Sequence, residues 1–159
     1  MESIYVKGRD NARTPFQWDN APHGGFTTGS PWIAVNSNYK TINAAQAQAD
    51  PHSIYHYYRQ LISLRKEHDI IVYGDFQMLL PDHDEIMAYT RTLGEQKLLV
   101  MMNFFAGESE WRSEWLLEQG LTSTGSHLLI GNYPPEGSSL PDTSFTLRPY
   151  EARVYLWND

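Results

Sequence analysis

The stretch EIMAYTRTLGEQKLLVMMNF, from Glu85 to Phe104, contains two runs of aliphatic and aromatic residues separated by a short polar connection. The composition of EIMAYTRT and of KLLVMMNF is typical of β-strands. The connection is Leu93-Gly94-Glu95, and a glycine in so short a link between two such runs indicates a tight turn. The stretch therefore predicts an antiparallel hairpin.

Strand-like segments flank this hairpin on both sides. DFQMLL precedes it, and HLLIGNY and FTLRPYEARVYLW follow it, separated by a turn rich in Pro, Gly and Ser over residues 134–142. The last segment fits either one half-buried strand or a hairpin bent at Arg148-Pro149. Five or six short strands of this kind predict a mainly β fold, with an antiparallel β-sandwich in residues 72–159.

One amphipathic helix is predicted before the strands, within SIYHYYRQLISLRKEH. Asp50 can cap free helical amides, and Pro51 is favourable at a first helical position because it lacks an N–H. The apolar side chains that recur at helical spacing are Ile54, Tyr58, Leu61 and Leu64. The pattern predicts a helix from Pro51 to about His68.

Residues 1–50 show neither a helical nor a sustained strand period, and they are rich in Gly, Pro, Asn and Thr. They predict a long ordered loop. A loop of this length is unusual inside a small free-standing domain, and such loops usually line a functional face or belong to a larger body. We therefore expect the chain to be part of a larger protein.

The composition excludes several classes of function. A length of 159 residues suits one ordinary domain, or a small domain with part of a second. Twelve basic against nineteen acidic residues give a net charge of -7, which disfavours nucleic-acid binding. No apolar run approaches the ~20 residues of a membrane-spanning helix. The absence of cysteine excludes disulfides and thiolate sites, and the N-terminus shows no export signal, so we expect a cytoplasmic protein.

No metal or cofactor site is predicted from the charged clusters. Asp82, His83, Asp84 and Glu85 are interpreted as a solvated loop between strands, since their spacing matches no metal-binding loop. His52 and His56 lie four residues apart without the carboxylate of an H-E-x-x-H helix, and are interpreted as a solvated helix end. The sequence also contains no nucleophile elbow and no glycine-rich phosphate loop.

Aromatic residues in the N-terminal segment could stack on sugar rings or pack into a core. We favour packing, because large aromatic side chains contribute most of the burial available to a segment without regular structure. The residues concerned are Trp18, Phe26, Trp32 and Tyr39. No evenly spaced Trp or Tyr platform follows Tyr73, and Trp111 and Trp115 suit a short helix or an irregular packing segment.

The stretch GRDNARTPFQWDN, from Gly8 to Asn20, is dense in hydrogen-bond donors. Its two arginines lie four residues apart and could recognise planar carboxylates or pairs of hydroxyls. An internal salt-bridge network that holds the loop is an equally good interpretation from the residues alone. The polar and aromatic residues involved are Arg9, Asp10, Asn11, Arg13, Gln17 and Trp18.

GRDNARTPFQWD and the following GGFTTGSPWIAVNSNYKTINAAQAQADPHSIYHYYRQLISLRKEHDIIVYGDF resemble the C-terminal third of the alpha-amylase superfamily, glycoside hydrolase family thirteen. The similarity is to the branch that includes oligo-1,6-glucosidase, dextran glucosidase, alpha-glucosidase and trehalose-6-phosphate hydrolase. NFFAGE, IGNY and TLRPYEARVY match as well, so the resemblance extends over essentially the whole chain.

The resemblance implies that residues 1–71 are the end of a catalytic (β/α)8 barrel, namely the loop after strand eight and the last barrel helix. Residues 72–159 would then be the C-terminal β-sandwich domain. Active sites of such barrels are built from loops at the C-terminal ends of the strands, which would account for a long N-terminal loop. Apolar positions such as Ile54, Leu61, Leu64, Leu99 and Met101 would form packing surfaces.

The resemblance also implies one substrate-binding residue. Arg9 would pair with an aspartate of an early barrel loop and hydrogen-bond the terminal glucose in the innermost subsite. Asp10, Asn11, Arg13, Gln17 and Trp18 belong to the same motif and are assigned to loop structure. The catalytic Asp, Glu and stabilising Asp of the family come from strands four, five and seven, so no catalytic residue, metal or cofactor is assigned to this chain.

We therefore expect the C-terminal region of an intracellular retaining alpha-glucosidase that hydrolyses short alpha-glucosides. Its partner would be the N-terminal catalytic barrel, and the isolated chain is expected to be inactive. Two alternatives remain open: the C-terminal region of a trehalose-6-phosphate hydrolase, and a stand-alone carbohydrate-binding or interaction module.

Overall fold

The computed structural model describes residue 8 and residues 10–117, 119–134 and 137–157, with the backbone alone at Asn11. The chain divides into two compact units, with the boundary between Ile62 and Ser63. The N-terminal unit consists largely of turns and short helices. The C-terminal unit contains all of the described strands.

The C-terminal unit is built from two antiparallel sheets. Five strands form one sheet in the order β1-β2-β3-β7-β5, and β4 pairs with β6 in the other. The strand bounds are β1 (Asp75–Met78), β2 (Ile86–Leu93), β3 (Gln96–Asn103), β4 (Ser109–Trp111), β5 (Ser126–Gly131), β6 (Phe145–Leu147) and β7 (Ala152–Trp157). The prediction of a mainly β fold with an antiparallel sandwich is confirmed.

The predicted hairpin forms β2 and β3. Leu93 pairs with Gln96 at its closed end, and Ile86 pairs with Asn103 at its open end. Gly94 has a φ of +59°, a left-handed conformation that glycine adopts without the steric cost of a Cβ. Glycine at this position therefore permits the tight turn that sets the strand register.

Both interpretations of FTLRPYEARVYLW are wrong, since the segment forms two strands in different sheets. β6 pairs with β4, whereas β7 lies between β3 and β5. Between them, Pro149 has no N–H to donate and Tyr150 has a φ of +55°. The backbone therefore leaves one sheet at this point and enters the other.

The core lies on both faces of β3. Leu99 and Met101 are fully buried on one face, in a cluster that includes Trp111. Leu98 and Val100 are buried on the opposite face. A central strand covered on both sides has to be apolar at consecutive positions, which explains the unbroken LLVMM run.

The described residues also form four α-helices: α1 (Ala44–Ala49), α2 (Ile54–Glu67), α3 (Ile70–Tyr73) and α4 (Glu114–Leu117). The amphipathic helix predicted from the sequence is α2, but its predicted start at Pro51 is wrong. The Asp50 carboxylate accepts a hydrogen bond from His52 N at 2.9 Å, which holds a turn before the helix. The first helical bond runs from Tyr57 N to Ser53 O.

Helix α1 lies within the segment predicted as a continuous loop, so that prediction is wrong over Ala44–Ala49. Its sequence, AAQAQA, consists of strong helix formers, and the Asn43 side chain caps its start by accepting a hydrogen bond from Gln46 N at 2.9 Å. The helix has no buried face, and a search for apolar periodicity cannot detect such a helix.

The predicted packing positions divide into two groups. Leu64, Leu99 and Met101 are buried. Ile54 is 86% exposed and Leu61 is 37% exposed, so the packing predicted for these two side chains has no counterpart among the described residues. The N-terminal half of α2 therefore presents apolar side chains to solvent.

A left-handed turn organises the N-terminal unit. His23, Gly24 and Gly25 have φ values of 58°, 65° and 67°. The turn places Gly24 O where it accepts hydrogen bonds from Trp18 N at 2.8 Å and Asp19 N at 3.2 Å. A Cβ on Gly25 would lie 2.7 Å from Asp19 Oδ1, so both the conformation and the space at this position favour glycine.

Replacing Leu99 by alanine should destabilise the C-terminal unit by about 2–5 kcal/mol, because it removes a fully buried side chain from a two-sided core. The matched control is Leu117→Ala, since Leu117 is 66% exposed and its truncation should cost less than about 0.5 kcal/mol. Chemical denaturation followed by tryptophan fluorescence measures both values. Equal destabilisation by the two substitutions would contradict this core assignment.

Replacing Gly25 by alanine should loosen the left-handed turn by about 1–2 kcal/mol, because an L-residue is disfavoured at that φ. Hydrogen exchange at the Trp18 and Asp19 amides reports on the change, since both donate to Gly24 O. Gly29→Ala is the control, because the nearest atom to a Cβ there lies 3.8 Å away. Unchanged exchange in Gly25→Ala would refute the role given to this turn.

Candidate functional site

The described part of GRDNARTPFQWDN begins with a 3₁₀ turn over Asp10–Ala12. Arg13 N donates to Asp10 O at 3.0 Å and closes this turn. Arg9, the predicted substrate-binding residue, lies outside the described residues, and its role stays a prediction. Among the described residues, neither Asp10 nor Arg13 takes part in an ion pair, so these two side chains do not form the salt-bridge network considered above.

The second half of the motif is hydrogen-bonded to the start of helix α1. Ala44 N donates to Gln17 O, and Ala45 N donates to Trp18 O, each at 2.9 Å. The Gln17 side-chain amide also donates to Ile42 O. Gln17 therefore contributes to loop structure through both its backbone and its side chain.

Aromatic side chains of the N-terminal unit do not pack into a core of this chain. Trp18, Phe26 and Trp32 are 56%, 50% and 97% exposed, and Tyr39 is half-buried, so the packing predicted for the first three is wrong within this chain. Phe16 contacts Trp18 edge to face, with ring centroids 4.6 Å apart. Among the described residues of this unit, no large apolar side chain is fully buried.

A concavity of about 630 Å³ lies beside the motif. Its lining comprises Thr14, Pro15, Phe16, Gln17, Trp18, Ile42, Asn43, Ala44, Ala47, Gln48 and Tyr55. None of these residues carries a carboxylate or an imidazole, so the described lining offers no group for acid–base catalysis near neutral pH. The concavity can bind an apolar or aromatic surface, and its few amide groups can orient that surface.

The predicted solvated loop at Asp82–Glu85 is more structured than its composition suggested. Asp82 and Asp84 are exposed, as predicted, whereas His83 and Glu85 are half-buried. His83 Nδ1 lies 3.2 Å from Glu85 N and 3.0 Å from Ile86 N, so the ring accepts from backbone amides at the start of β2. Glu85 accepts a hydrogen bond from Ser109 Oγ at 2.8 Å.

These side chains have structural partners and do not form a described metal site. The described residues contain no group of three or more His, Cys, Asp or Glu side chains that could hold a metal ion. His56 Nε2 lies 2.9 Å from Gln48 O, which ties one member of the predicted histidine pair to the end of α1. His52 is exposed.

Sequence reasoning missed a buried ion pair in the C-terminal unit. Arg153 Nε donates to Glu151 Oε1 at 2.7 Å, and the two residues are only 9% and 3% exposed. Glu151 Oε2 accepts from Arg148 N at 2.8 Å. The sequence pattern that could have indicated it is the alternation of residues in EARVYLW, because residues two apart share one face of a strand. Arg153, Tyr155 and Trp157 therefore lie on one face of β7.

Among the residues that the structure describes, two groups have a shifted pKa with an identifiable cause. Burial raises the pKa of the Tyr57 phenol. Burial alone would lower the pKa of Arg153, but hydrogen bonding to Glu151 and Tyr155, together with the charges of these groups, outweighs it and the pKa is raised. Arg153 therefore remains a cation throughout the pH range in which the protein is folded.

A retaining glycosidase needs two carboxyl groups about 5 Å apart across its substrate. Three of the described carboxylates are instead paired with protein groups: Glu151 with Arg153, Glu85 with Ser109, and Glu110 with Arg112 at 3.6 Å. These contacts suit structural roles.

In the described part of the chain, no helix has the length and apolar character needed to cross a membrane.

Two family models match consecutive parts of the chain. The alpha amylase catalytic domain matches residues 1–74, and the maltogenic amylase C-terminal domain matches residues 76–154. Together they span nearly the whole sequence, and the resemblance drawn from GRDNARTPFQWD and the strands is confirmed.

Individual relatives agree with these matches. Oligo-1,6-glucosidase from Halalkalibacterium halodurans is 51% identical over 98% of this chain. The solved structure of trehalose-6-phosphate hydrolase from Bacillus licheniformis aligns with 98% of this chain at 43% sequence identity, with a TM-score of 0.82. Trehalulose synthase from Pseudomonas mesoacidophila gives 37% identity over 93% of this chain, with a TM-score of 0.78.

The chain spans only about a quarter of these proteins, 27% of each of the first two and 26% of the third. The similarity nevertheless covers both units, because each relative aligns with almost all of this chain. The chain belongs to the alpha-amylase superfamily of glycoside hydrolases.

Proposed function

We propose that this chain is the C-terminal region of a cytoplasmic, retaining alpha-glucosidase of the oligo-1,6-glucosidase type. The observation that carries the proposal is 51% identity to an oligo-1,6-glucosidase over 98% of this chain. At this level of identity, the substrate class of the relative is the first one to test. The substrate would be a short alpha-glucoside.

Within such an enzyme the two units would have different tasks. The N-terminal unit would complete the catalytic domain and present Arg9 to the terminal glucose, and the boundary with the C-terminal domain would lie near residue 71. A guanidinium suits that task because its fork of donors can hold a carboxylate and a sugar hydroxyl together. The C-terminal sandwich would support the catalytic domain.

The remaining part of the catalytic domain would supply the chemistry. In a retaining mechanism one carboxylate attacks the sugar and a second carboxyl group protonates the leaving oxygen, then activates water. The concavity beside the GRDNARTPFQWDN motif, with its exposed Phe16 and Trp18, offers an apolar surface on which that part of the domain could pack. The isolated chain would therefore be inactive.

A trehalose-6-phosphate hydrolase is the second candidate. The observation that favours it is the TM-score of 0.82 and 43% identity to the Bacillus licheniformis enzyme.

A stand-alone carbohydrate-binding module is the third possibility. Titration with maltose and isomaltose under tryptophan fluorescence tests it, because a module should bind both sugars without any catalytic partner.

We expect a chimera to be active in which this chain replaces the matching quarter of the Halalkalibacterium halodurans oligo-1,6-glucosidase. The chimera should hydrolyse isomaltose, whereas the isolated chain should not. A chimera built in the same way on the Bacillus licheniformis trehalose-6-phosphate hydrolase serves as the comparison, with trehalose 6-phosphate as substrate. Turnover of isomaltose by the pure isolated chain would contradict the proposal.

In the active chimera, Arg9→Lys should lower kcat/KM by about 10-fold to 100-fold, because lysine keeps the charge but loses the bidentate geometry. Arg13→Lys is the matched control, since Arg13 is exposed and takes part in no ion pair among the described residues. It should change kcat/KM by less than about threefold. Equal losses in both variants would remove the case for Arg9 as the substrate-binding residue.

A further inference from the structure

Two neighbouring concavities on the surface of the C-terminal unit share His83 and Glu85 as wall residues. Their volumes are about 340 Å³ and about 290 Å³. Sites for small molecules begin at about 300 Å³, so each concavity is large enough for a small group. Trp115 lines the first concavity and Phe104 lines the second. The paired concavities therefore combine polar and aromatic walls.

The imidazole of His83 offers a hydrogen-bond donor in these walls. Its Nδ1 accepts from Glu85 N at 3.2 Å and from Ile86 N at 3.0 Å, so the neutral ring carries its proton on Nε2. The same ring lies edge to face with the indole of Trp115, with centroids 5.4 Å apart. His83 therefore holds an Nε2–H donor in a defined orientation close to an aromatic side chain.

The carboxylate of Glu85 offers an acceptor in the same walls. Its Oε2 accepts from Ser109 Oγ at 2.8 Å, and the structure describes no donor to Oε1. Among the described residues, Trp111 Nε1 is the one buried side-chain nitrogen or oxygen without a partner. Oε1 of Glu85 and Nε2 of His83, for which no partner is described, are therefore accessible to solvent. A ligand can reach both atoms.

An exposed ion pair adds further polar groups to the first concavity. Arg112 Nε lies 3.6 Å from Glu110 Oε2, and the two side chains are 55% and 64% exposed. Exposed pairs of this kind contribute little to stability. Both side chains can therefore turn towards a ligand at small cost.

The charges and hydrogen-bonding groups select the class of ligand. Three carboxylates and one guanidinium line the paired concavities, namely those of Asp84, Glu85, Glu110 and Arg112. The excess of negative charge disfavours an anion. A simple cation cannot accept from the His83 N–H. A hydroxyl group both donates and accepts, so a neutral ligand with several hydroxyls matches the whole set.

We propose that the paired concavities bind a neutral oligosaccharide, with His83 Nε2 and the Glu85 carboxylate hydrogen-bonded to its hydroxyls. Trp115 packs against the apolar face of one sugar ring, and Phe104, which is 58% exposed, adjoins the next ring. The site lies wholly within the C-terminal unit and does not use the GRDNARTPFQWDN motif. It goes beyond the proposed function, from which only the choice of alpha-glucosides as probes is taken.

The test is an NMR titration of the full chain with maltotriose and, separately, with isomaltotriose. Saturable shifts are expected for the Trp115 indole N–H and for the amides of Glu85 and Ile86, which donate to His83, with a Kd on the order of a millimolar. Glucose should bind more weakly, because a single ring fills only one concavity. Tetramethylammonium chloride and sodium acetate are the charged controls and should give no saturation.

Glu85→Gln keeps the shape of the side chain and removes its charge, and it should weaken trisaccharide binding about tenfold. Glu95→Gln is the matched control, because Glu95 is exposed and lines neither concavity, and its Kd should stay unchanged. If Glu85→Gln does not fold, Arg112→Gln at an exposed position replaces it, with an expected weakening of about threefold.

Four results would overturn the proposal: no saturation by either trisaccharide, shifts confined to residues 14–55, equal binding of tetramethylammonium, or an unchanged Kd in both Glu85→Gln and Arg112→Gln. Turnover by the chimera tests the proposed function separately, because the titration needs no catalytic domain. An inactive chimera with saturable binding at Trp115 would refute the enzyme assignment and support this site. An active chimera without such binding would do the reverse.

Discussion

Burial of strand β3 on both faces is the constraint on which the C-terminal unit depends. Its neighbours β2 and β7 satisfy its backbone hydrogen bonds, and its side chains enter two separate clusters. Leu99 and Met101 contact the cluster that includes Trp111, and Leu98 and Val100 contact the one that includes Ile70. Burial of apolar surface is the main favourable term in folding, so the strand that serves both clusters fixes the arrangement of the rest.

The N-terminal unit is organised by a different kind of interaction. Backbone hydrogen bonds to Gly24 O, Gln17 O and Trp18 O define its turns, while most of its described aromatic side chains, such as Trp18 and Trp32, remain exposed. Net hydrogen-bond contributions are small compared with those of apolar burial, so such a segment gains little stability by itself. This imbalance is what a partial catalytic domain would show, and it supports the proposal that the unit completes a larger enzyme.

The sequence was sufficient for features set by local pattern. The hairpin around Gly94 and the presence of helix α2 followed from alternation, helical spacing and turn residues. Helix α1 was missed because AAQAQA has no apolar face, and the start of α2 was misplaced because the Asp50 side chain closes a turn before it. The separation of β6 from β7 depends on pairing with distant strands, which no local pattern reveals.

At the candidate sites, too, local sequence patterns do not reveal contacts between elements that are distant along the chain. Resemblance to a known family predicts a role for Arg9. The pairing of Glu151 with Arg153 and the use of His83 Nδ1 as an acceptor for backbone amides could not be predicted in this way, because both depend on tertiary contacts. Charged residues in a loop are usually solvated, so composition alone favoured the interpretation of Asp82–Glu85 as a solvated loop. Only the fold shows that Arg153 and Tyr155 share the inner face of β7 and border one cavity.

We infer that the C-terminal sandwich folds on its own, whereas the N-terminal unit needs contacts from outside this chain for its stability. Hydrogen exchange on the whole chain compares the stabilities of the two units. Amides of β3 and β7 should be protected about a thousandfold or more beyond those of residues 27–36, because strand opening requires unfolding of the two-sided core. Equal protection in the two regions, or stronger protection in the N-terminal unit, would show that the sandwich is not the more stable of the two units.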